Sequence, residues 1–254
     1  MKVPATQRPK SAEFNPSDPV DPLDQLIVAL DLPSERAALA LVERLEGRCR
    51  WFKVGLELYL AAGPSVIEHL RTQGYRVFLD LKLHDIPNTV AGAVRSLSSS
   101  GASLLTVHAT GGAAMLQAAV EAAACAPEPL RLLAVTVLTS MDATQLAGTG
   151  VGSSPAEQVL RLARLAAAAG LRGMVCSAEE LACLRQELGA EPLLVVPGIR
   201  PAGAAHGDQR RVATPAAARK AGASMLVVGR PITQAASPEL VVDAILAELA
   251  RTDT

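Results

Sequence analysis

The stretch from residue 76 to residue 89 begins as an apolar strand and then carries three charged side chains, Asp80, Lys82 and Asp85. Successive side chains of a strand point to opposite faces, so Asp80 and Lys82 are predicted to lie on the same face. Charged side chains are rarely buried unless they are paired or used in chemistry. A carboxylate beside an ammonium group is therefore either a structural ion pair or part of a site that stabilises charge developing on a substrate.

A proline sets the end of this strand. Pro87 cannot donate a hydrogen bond to a sheet, and it biases Ile86 away from helical conformation. The strand is therefore predicted to end near Leu83, which places Asp85 on the loop that follows. In this arrangement the acid on the loop is separated from the two charges on the strand.

Eight apolar segments alternate with amphipathic segments of helical period from residue 26 to the C-terminus. Strands are predicted at residues 26–31, 51–56, 76–83, 103–109, 132–138, 173–177, 193–199 and 225–230. Helices are predicted at residues 35–45 (capped by Ser34), 63–74, 88–100, 154–169, 178–188, 214–221 and 237–251, with an alanine-rich helix after Gly112. Strands that are apolar on both faces and alternate with helices indicate a parallel sheet. Eight such units without a dinucleotide-binding glycine fingerprint favour an α/β fold of the (β/α)8 TIM-barrel class, in one domain, over an open doubly wound sheet.

Four charges belong to the first three predicted strands. Asp31 ends the first strand, Lys53 lies in the second, and Asp80 and Lys82 lie in the third. Chemistry in TIM barrels occurs at the C-terminal ends of the strands, so these side chains are predicted to converge at the mouth. Alternating anions and cations hold one another ionised. Convergence of all four favours a functional site over separate ion pairs.

A second cluster follows the last two strands, on the opposite side of the predicted barrel. The chain leaves strand seven through residues 197–201 and strand eight through residues 229–233. Glycines there permit close backbone approach, and Arg200 and Arg230 suit bidentate contacts to phosphate. The glycine-containing loop at residues 201–209 has the length of a mobile lid. The two clusters together predict a phosphorylated small-molecule substrate.

Composition excludes several classes of function. Half of the residues are hydrophobic and the formal net charge is −1, so nucleic acid is not an expected partner. No apolar run approaches the roughly 20 residues of a membrane span, and the N-terminus lacks a signal-peptide core. The four scattered cysteines lack metal-ligand spacing, so no metal site is expected. These features are typical of a cytoplasmic protein, with residues 1–21 as a flexible, proline-containing extension and residues 22–254 as the catalytic domain.

The segment from Asp80 to Thr89 closely resembles the signature of the orotidine 5′-phosphate decarboxylase family. Further segments resemble the family in the same order, at residues 28–31, 53–55, 106–109, 138–141, 197–201, 207–209 and 228–233. The resemblance covers the chain from about residue 26 to the C-terminus. It implies conversion of orotidine 5′-monophosphate to UMP and CO2, the last step of de novo UMP synthesis, without metal or organic cofactor. It also implies a homodimer with active sites at the subunit interface.

The resemblance assigns catalytic roles to the first cluster. It implies that Lys53, Asp80 and Lys82 form a charged array, completed by Asp85 of the partner subunit. Lys82 is implied to deliver a proton to C6 of the pyrimidine as the carboxylate leaves. Asp31 and Lys53 are implied to hold the ribose hydroxyls.

The remaining roles implied by the resemblance concern substrate binding. Thr89, like Asp85, is expected to reach the ribose from the partner subunit. Thr139 or the neighbouring Ser140 is expected to meet the pyrimidine edge, and Arg200 to support the lid. The residues expected to bind the phosphate are Gln209, Gly229 and Arg230.

Two alternatives remain beside this interpretation. Related barrels that share an Asp-x-Lys-x-x-Asp strand end resemble Mg²⁺-dependent keto-sugar-phosphate decarboxylases and hexulose-phosphate synthases. The residues that follow this motif, 86–89, and those at 229–233 favour the orotidine 5′-phosphate decarboxylases instead. A barrel that only binds a nucleotide, or acts as a scaffold, is the other alternative, and the intact Lys82 with its carboxylates argues against it.

Overall fold

Eight parallel strands close into a barrel in the computed structural model of the chain, which describes residues 21–201 and 212–251. Each strand pairs in parallel with the next, and the eighth pairs with the first. The strands are β1 Leu26–Ala29, β2 Trp51–Gly55, β3 Arg76–Leu83, β4 Leu104–His108, β5 Arg131–Val135, β6 Gly173–Val175, β7 Leu193–Val196 and β8 Met225–Val228. The predicted (β/α)8 fold class is confirmed.

Helices connect the strands on the outside of the barrel, as the alternating pattern predicts. They are α1 Pro22–Gln25, α2 Glu35–Arg44, α3 Leu56–Ala62, α4 Ser65–Thr72, α5 Pro87–Ser98, α6 Gly112–Ala124, α7 Ala143–Gly148, α8 Pro155–Ala168, α9 Leu181–Leu188, α10 Pro215–Lys220, α11 Arg230–Thr233 and α12 Pro238–Ala250. Among these described helices, none is both long and apolar enough to cross a membrane.

Local sequence explains most helix starts. The predicted N-cap Ser34 accepts a hydrogen bond from the backbone N–H of Ala37 at 3.3 Å, which satisfies one free donor of α2. Ser154 and Glu157 form a reciprocal capping box at the start of α8. Proline occupies the first turn of α5, where no intrahelical donor is needed.

Several predicted boundaries were wrong. The helix predicted at 63–74 corresponds to α4, and a further helix, α3, precedes it without having been predicted; Gly63, with a φ of +67°, lies between the two. The short helices α1, α7 and α11 are too brief to show a helical period, so no pattern indicated them. Most strands end earlier than predicted; β7, for example, ends before Pro197, which cannot donate to a ladder.

Two apolar layers hold the barrel together. A large cluster packs the outward-facing strand residues against the helices. A smaller cluster contains the strand residues that alternate with them and therefore fill the interior; among them are Ile27, Trp51, Phe78, Leu104, Leu133, Val195 and Val227. Lys53, Asp80 and Thr106 lie two residues beyond Trp51, Phe78 and Leu104, so they continue the interior face into the mouth of the barrel.

Part of the predicted domain organisation falls outside the described residues, namely residues 1–20 of the predicted extension and residues 202–209 of the predicted lid. Asp21, in contrast, belongs with the barrel. Its side chain caps α1 by accepting from the N–H of Leu23, and it pairs with Arg50 at 2.8 Å.

Candidate active site

The third strand is irregular where its charged residues occur. Leu79 pairs with Leu105 of β4, and Leu83 pairs with Val107, so β3 uses four residue steps where β4 uses two. Lys82, inside this bulge, has a φ of +49°, a left-handed conformation that non-glycine residues rarely adopt. Bulges of this kind occur next to active sites and re-aim side chains. Strand alternation correctly predicted that Lys82 lies beside Asp80. The bulge, which was not predicted, sets the backbone conformation from which the Lys82 side chain reaches Asp80.

The four predicted charges form one continuous row at the mouth of the barrel. Lys53 Nζ lies 2.8 Å from Asp31 Oδ1 and 3.6 Å from Asp80 Oδ2. Lys82 Nζ donates to the same Asp80 oxygen at 2.8 Å. The order of charges is therefore negative, positive, negative, positive from β1 to β3, and each ion has an opposite charge as its neighbour.

Asp80 is a buried charge, only 9% exposed, so it needs compensating partners to remain ionised. Burial raises the pKa of a carboxyl group, but the charges of Lys53 and Lys82 and hydrogen bonds from Lys82 and Thr106 outweigh that effect for Asp80. The pKa of Asp80 consequently lies below its ordinary value. The carboxylate is ionised at neutral pH and keeps both ammonium groups in place.

Two residues without a predicted role support the row. Thr106 of β4 is fully buried and donates from its hydroxyl to Asp80 Oδ1 at 2.9 Å. A Cβ atom at Gly55 would lie 2.8 Å from Asp31 Oδ1 and 2.9 Å from Lys53 Nζ, so glycine leaves the room that this pair occupies. A threonine within an apolar strand is an ordinary strand former. Its sequence context therefore carried no signal of this role.

A cavity of about 560 Å³ joins the charged row to the exits of β7 and β8. Its volume falls in the range of small-molecule sites. Apolar residues such as Phe78, Val135 and Val227 also line the cavity. The predicted site residues that line the cavity are Asp31, Lys53, Asp80, Lys82, Thr139, Ser140, Arg200, Gly229 and Arg230.

The exits of β7 and β8 carry two arginines at the same mouth of the barrel. Because β8 pairs with β1, the exit of β8 lies beside Asp31 at one end of the row, so the prediction that this cluster lies on the opposite side of the barrel was wrong. Arg230 is exposed at the start of α11, directly after Gly229. Arg200 is buried, and its Nη1 donates to the carbonyl oxygen of Ile199 at 2.9 Å. A Cβ atom at Gly229 would make ordinary contacts with Ala29 and Asp31. The protein's own packing therefore does not require glycine at position 229.

Two described site residues are not part of this cavity lining. Asp85 and Thr89 are exposed on the surface beyond β3, and Asp85 Oδ1 accepts from the N–H of Ile86 at 2.6 Å. Ile86 itself is 67% exposed. Gln209 lies outside the described residues.

The histidine at the end of β4, His108, is not among the residues that line the cavity. The half-buried ring of His108 lies 5.3 Å from that of His84, centre to centre. Burial lowers the pKa of His108, and the nearby His84 and Lys82 act in the same direction. His108 is therefore neutral near pH 7 and adds no charge to the row.

The acidic residues at the mouth are arranged around ammonium groups. Within residues 21–201 and 212–251, no group of three or more His, Cys, Asp or Glu side chains has a metal-binding arrangement. Asp31 and Asp80 do converge, and the ammonium of Lys53 occupies the position between them.

The amino-acid sequence is similar to one protein family and to individual proteins of known name. The sequence model of the family described as "Orotidine 5'-phosphate decarboxylase / HUMPS family" matches residues 24–245. A protein of Halorhodospira halophila named orotidine 5'-phosphate decarboxylase is 54% identical over 226 residues, which cover 89% of this chain and 96% of the relative. One of the same name from Anaeromyxobacter sp. is 53% identical over 228 residues, 90% of this chain and 99% of the relative.

A solved structure gives the same relationship. The crystal structure of orotidine 5'-phosphate decarboxylase from Lactobacillus acidophilus superimposes with a TM-score of 0.79 at 40% sequence identity. The superposition covers 89% of this chain and 99% of that structure. The match therefore extends over nearly the whole barrel.

Replacing Gly55 with alanine is expected to separate the Asp31–Lys53 pair without unfolding the barrel. The two ends of flexible side chains have to move away from the new methyl group, which should change stability by no more than about 1 kcal/mol. A crystal structure of Gly55→Ala should show Lys53 Nζ more than about 4 Å from Asp31, beyond ion-pair distance. Gly92→Ala in α5, where the nearest atom is Arg95 Nη2 at 3.8 Å, is the matched control and should leave the pair intact. An unchanged pair in Gly55→Ala would refute the steric role.

The lowered pKa of Asp80 predicts how stability depends on pH. A carboxyl group with a lowered pKa in the folded state contributes fully above its unfolded pKa of about 3.9 and loses this contribution as the pH falls through the lower folded value. The difference in unfolding free energy between wild type and Asp80→Asn should therefore stay constant from about pH 7 to pH 5 and shrink below about pH 4. Urea unfolding at each pH measures it. A difference that already shrinks above pH 5 would mean that the pKa of Asp80 is raised.

Proposed function

The chain belongs to the orotidine 5'-phosphate decarboxylase / HUMPS family, and from this premise we propose that it is a carboxy-lyase that converts orotidine 5′-monophosphate to UMP and CO2 in pyrimidine synthesis. One observation carries the proposal. The ammonium of Lys82, which Asp80 holds, lines the same cavity as Arg230. A nucleotide with its phosphate at Arg230 would present its pyrimidine to Lys82.

The chemistry explains why a fixed cation is needed. Loss of CO2 leaves an electron pair on C6 that the pyrimidine ring cannot delocalise well. An ammonium group positioned before the reaction stabilises this charge more strongly as it develops, and such differential stabilisation accelerates the chemical step. Lys82 then donates its proton to C6 as the carbon–carbon bond breaks, which gives UMP and a neutral amine that recovers its proton from water.

We assign to Asp80 the role of orienting the ammonium group of Lys82. Its Oδ2 accepts from Lys82 at 2.8 Å and lies 3.6 Å from Lys53, so the carboxylate is fixed between two cations. A fixed carboxylate limits the positions that the Lys82 ammonium can take. Lys53 with Asp31, which remains more exposed at the rim, supplies hydrogen-bonding groups for the ribose hydroxyls.

The phosphate end supplies binding energy away from the reacting carbon. Arg230 offers a planar pair of donors that fits phosphate oxygens, and the missing side chain at Gly229 lets a ligand approach the backbone. We assign the phosphate to these residues together with Gln209, the pyrimidine edge to Thr139 or Ser140, and support of the loop that follows β7 to Arg200. Binding energy gained here can hold the pyrimidine against Lys82 and so raise the rate.

We further propose a homodimer in which each subunit completes its partner's site. Asp85 and Thr89 lie outside the cavity lining of their own subunit and are exposed to solvent. Large apolar side chains are exposed on the same molecule at Ile86 and, in α3, at Leu56 and Leu60 (80%). Exposed apolar surface is typical of protein interfaces. Asp85 and Thr89 would then reach the ribose of the neighbouring active site, and Asp85 would extend the charged row.

The magnesium-dependent alternative fits the site less well. A divalent cation shared by Asp31 and Asp80 would have to displace the ammonium of Lys53, which already lies 2.8 Å from one carboxylate and 3.6 Å from the other. We therefore propose that the reaction proceeds without a metal or an organic cofactor.

The catalytic unit is proposed to be the barrel, with the residues before it as a separate extension in a cytoplasmic enzyme. The contacts of Asp21 with Leu23 and Arg50 support a boundary close to residue 21.

Purified protein is expected to consume orotidine 5′-monophosphate, and Lys82→Ala should lower kcat by about a thousandfold or more, because it removes both the proton donor and the fixed cation. Loss of substrate absorbance measures turnover, with and without a chelator. Lys220→Ala, which removes an exposed lysine at the end of α10, is the control and should not change the rate. Folded wild type without turnover would refute the proposed function, and activity that disappears on chelation would favour the magnesium-dependent alternative.

Mixing two inactive variants tests the shared site. Lys82→Ala and Asp85→Asn should each be strongly impaired alone. In a hybrid dimer, one site carries both substitutions and the other carries neither, so an equal mixture that exchanges subunits should recover about a quarter of wild-type activity. No recovery in a mixture that demonstrably exchanges subunits would place Asp85 in the site of its own subunit or outside both sites.

A further inference from the structure

Thr106 lies opposite the bulge of β3, on the neighbouring strand β4. The regular ladder between these strands stops at Leu79 and resumes at Leu83, so the backbone groups between them lack their usual partners on β4. The side chain of Thr106 points into the barrel at this gap and is fully buried. A buried hydroxyl requires hydrogen-bond partners, and those of Thr106 are both in the charged stretch.

The hydroxyl of Thr106 makes two hydrogen bonds of defined direction. Its oxygen accepts from the backbone N–H of Lys82 at 2.9 Å, and its proton is donated to Asp80 Oδ1 at 2.9 Å. The first bond satisfies a main-chain donor that the bulge removes from the ladder. The second bond occupies the carboxylate oxygen that does not bind Lys82.

These two bonds act on Lys82 and Asp80, whose relative positions the proposed reaction requires to be fixed. The left-handed backbone of Lys82 is a conformation that costs free energy in a residue with a side chain, so it needs external support. The carboxylate of Asp80 can rotate about its last bond unless both oxygens are held. One hydroxyl thus fixes the backbone of the proton donor and the plane of the acid that orients its ammonium.

We propose that Thr106 is a positioning residue for decarboxylation, which sets the geometry of Lys82 and Asp80 through its hydroxyl without touching the substrate. This inference rests on the proposed function. Thr106 is absent from the cavity lining, in accord with an indirect role. Serine can make both hydrogen bonds, whereas valine has nearly the shape of threonine and can make neither.

Kinetics of three variants separate the effect of the Thr106 hydroxyl from that of its methyl group. Thr106→Val should lower kcat about 10- to 100-fold, since it leaves a buried N–H and a carboxylate oxygen unpaired. KM should change much less, because the phosphate and ribose contacts remain. Thr106→Ser should retain kcat within about threefold. Thr136→Val, which removes a buried hydroxyl that donates to the carbonyl of Val175 at 3.0 Å, is the control and should also stay near wild type.

A further pair covers the case in which Thr106→Val does not fold. Thr106→Ala and Thr106→Ser both lack the methyl group and differ only in the hydroxyl. Thr106→Ala should be about tenfold slower than Thr106→Ser or more. Equal rates in this pair, or a folded Thr106→Val with wild-type kcat, would overturn the inference.

Titration of Asp80 tests the same hydroxyl without turnover. Carbon-13 NMR of the carboxyl group should show a higher pKa in Thr106→Val and Thr106→Ala than in wild type, because a bond to the ionised form is lost. The other charged or titratable groups near Asp80 are Lys82 on its own strand, Lys53 with Asp31 on β2 and after β1, and His108 with His84. An unchanged titration would overturn the inference. Wild-type protein without decarboxylase activity would instead refute the proposed function, and this titration would still decide whether the hydroxyl holds Asp80.

Discussion

The mouth of the barrel depends on one constraint, that a buried carboxylate remains ionised between two ammonium groups. Burial alone would favour the protonated form of Asp80; the charges of Lys53 and Lys82, together with hydrogen bonds from Lys82 and Thr106, reverse this preference and lower its pKa. Lys53 is balanced in turn by Asp31 at 2.8 Å. The row as a whole is neutral, which limits its cost in a partly buried site. Its last member, Lys82, faces the cavity as the cation that the proposed chemistry needs.

The alternation of side chains along the strands brings the charged residues to the interior face of the barrel. The third strand departs from this alternation at one point, the bulge that contains Lys82. The interior face of β2 and β3 is apolar at Trp51 and Phe78 and charged two residues later, at Lys53 and Asp80. The packed apolar interior of the barrel is therefore followed by a charged layer at its mouth. The bulge in β3 turns the backbone of Lys82 by way of a left-handed conformation. A strained backbone next to a reacting group is stable only where its surroundings hold it, and β4 provides that hold through a side chain.

Sequence patterns predicted the fold and the convergence of charges because both follow from periods of two and about 3.6 residues. The placement of Asp80 and Lys53 on the interior face follows directly from that period. The bulge did not, because no glycine marks a left-handed residue at position 82. Thr106 has the residue type of an ordinary strand former, and helices as short as α11 show no period. Asp85 and Thr89 are not part of the lining of the cavity at the mouth of their own subunit, so their proposed role comes from the family resemblance.

A crystal structure with UMP bound tests most directly whether the fixed ammonium of Lys82 serves C6. We expect Lys82 Nζ within about 3 Å of C6, the reach of a proton donor, while Asp80 still accepts from it and the phosphate lies against Arg230. A nucleotide bound with its phosphate at the charged row, or with C6 beyond the reach of Lys82, would contradict the proposed mechanism.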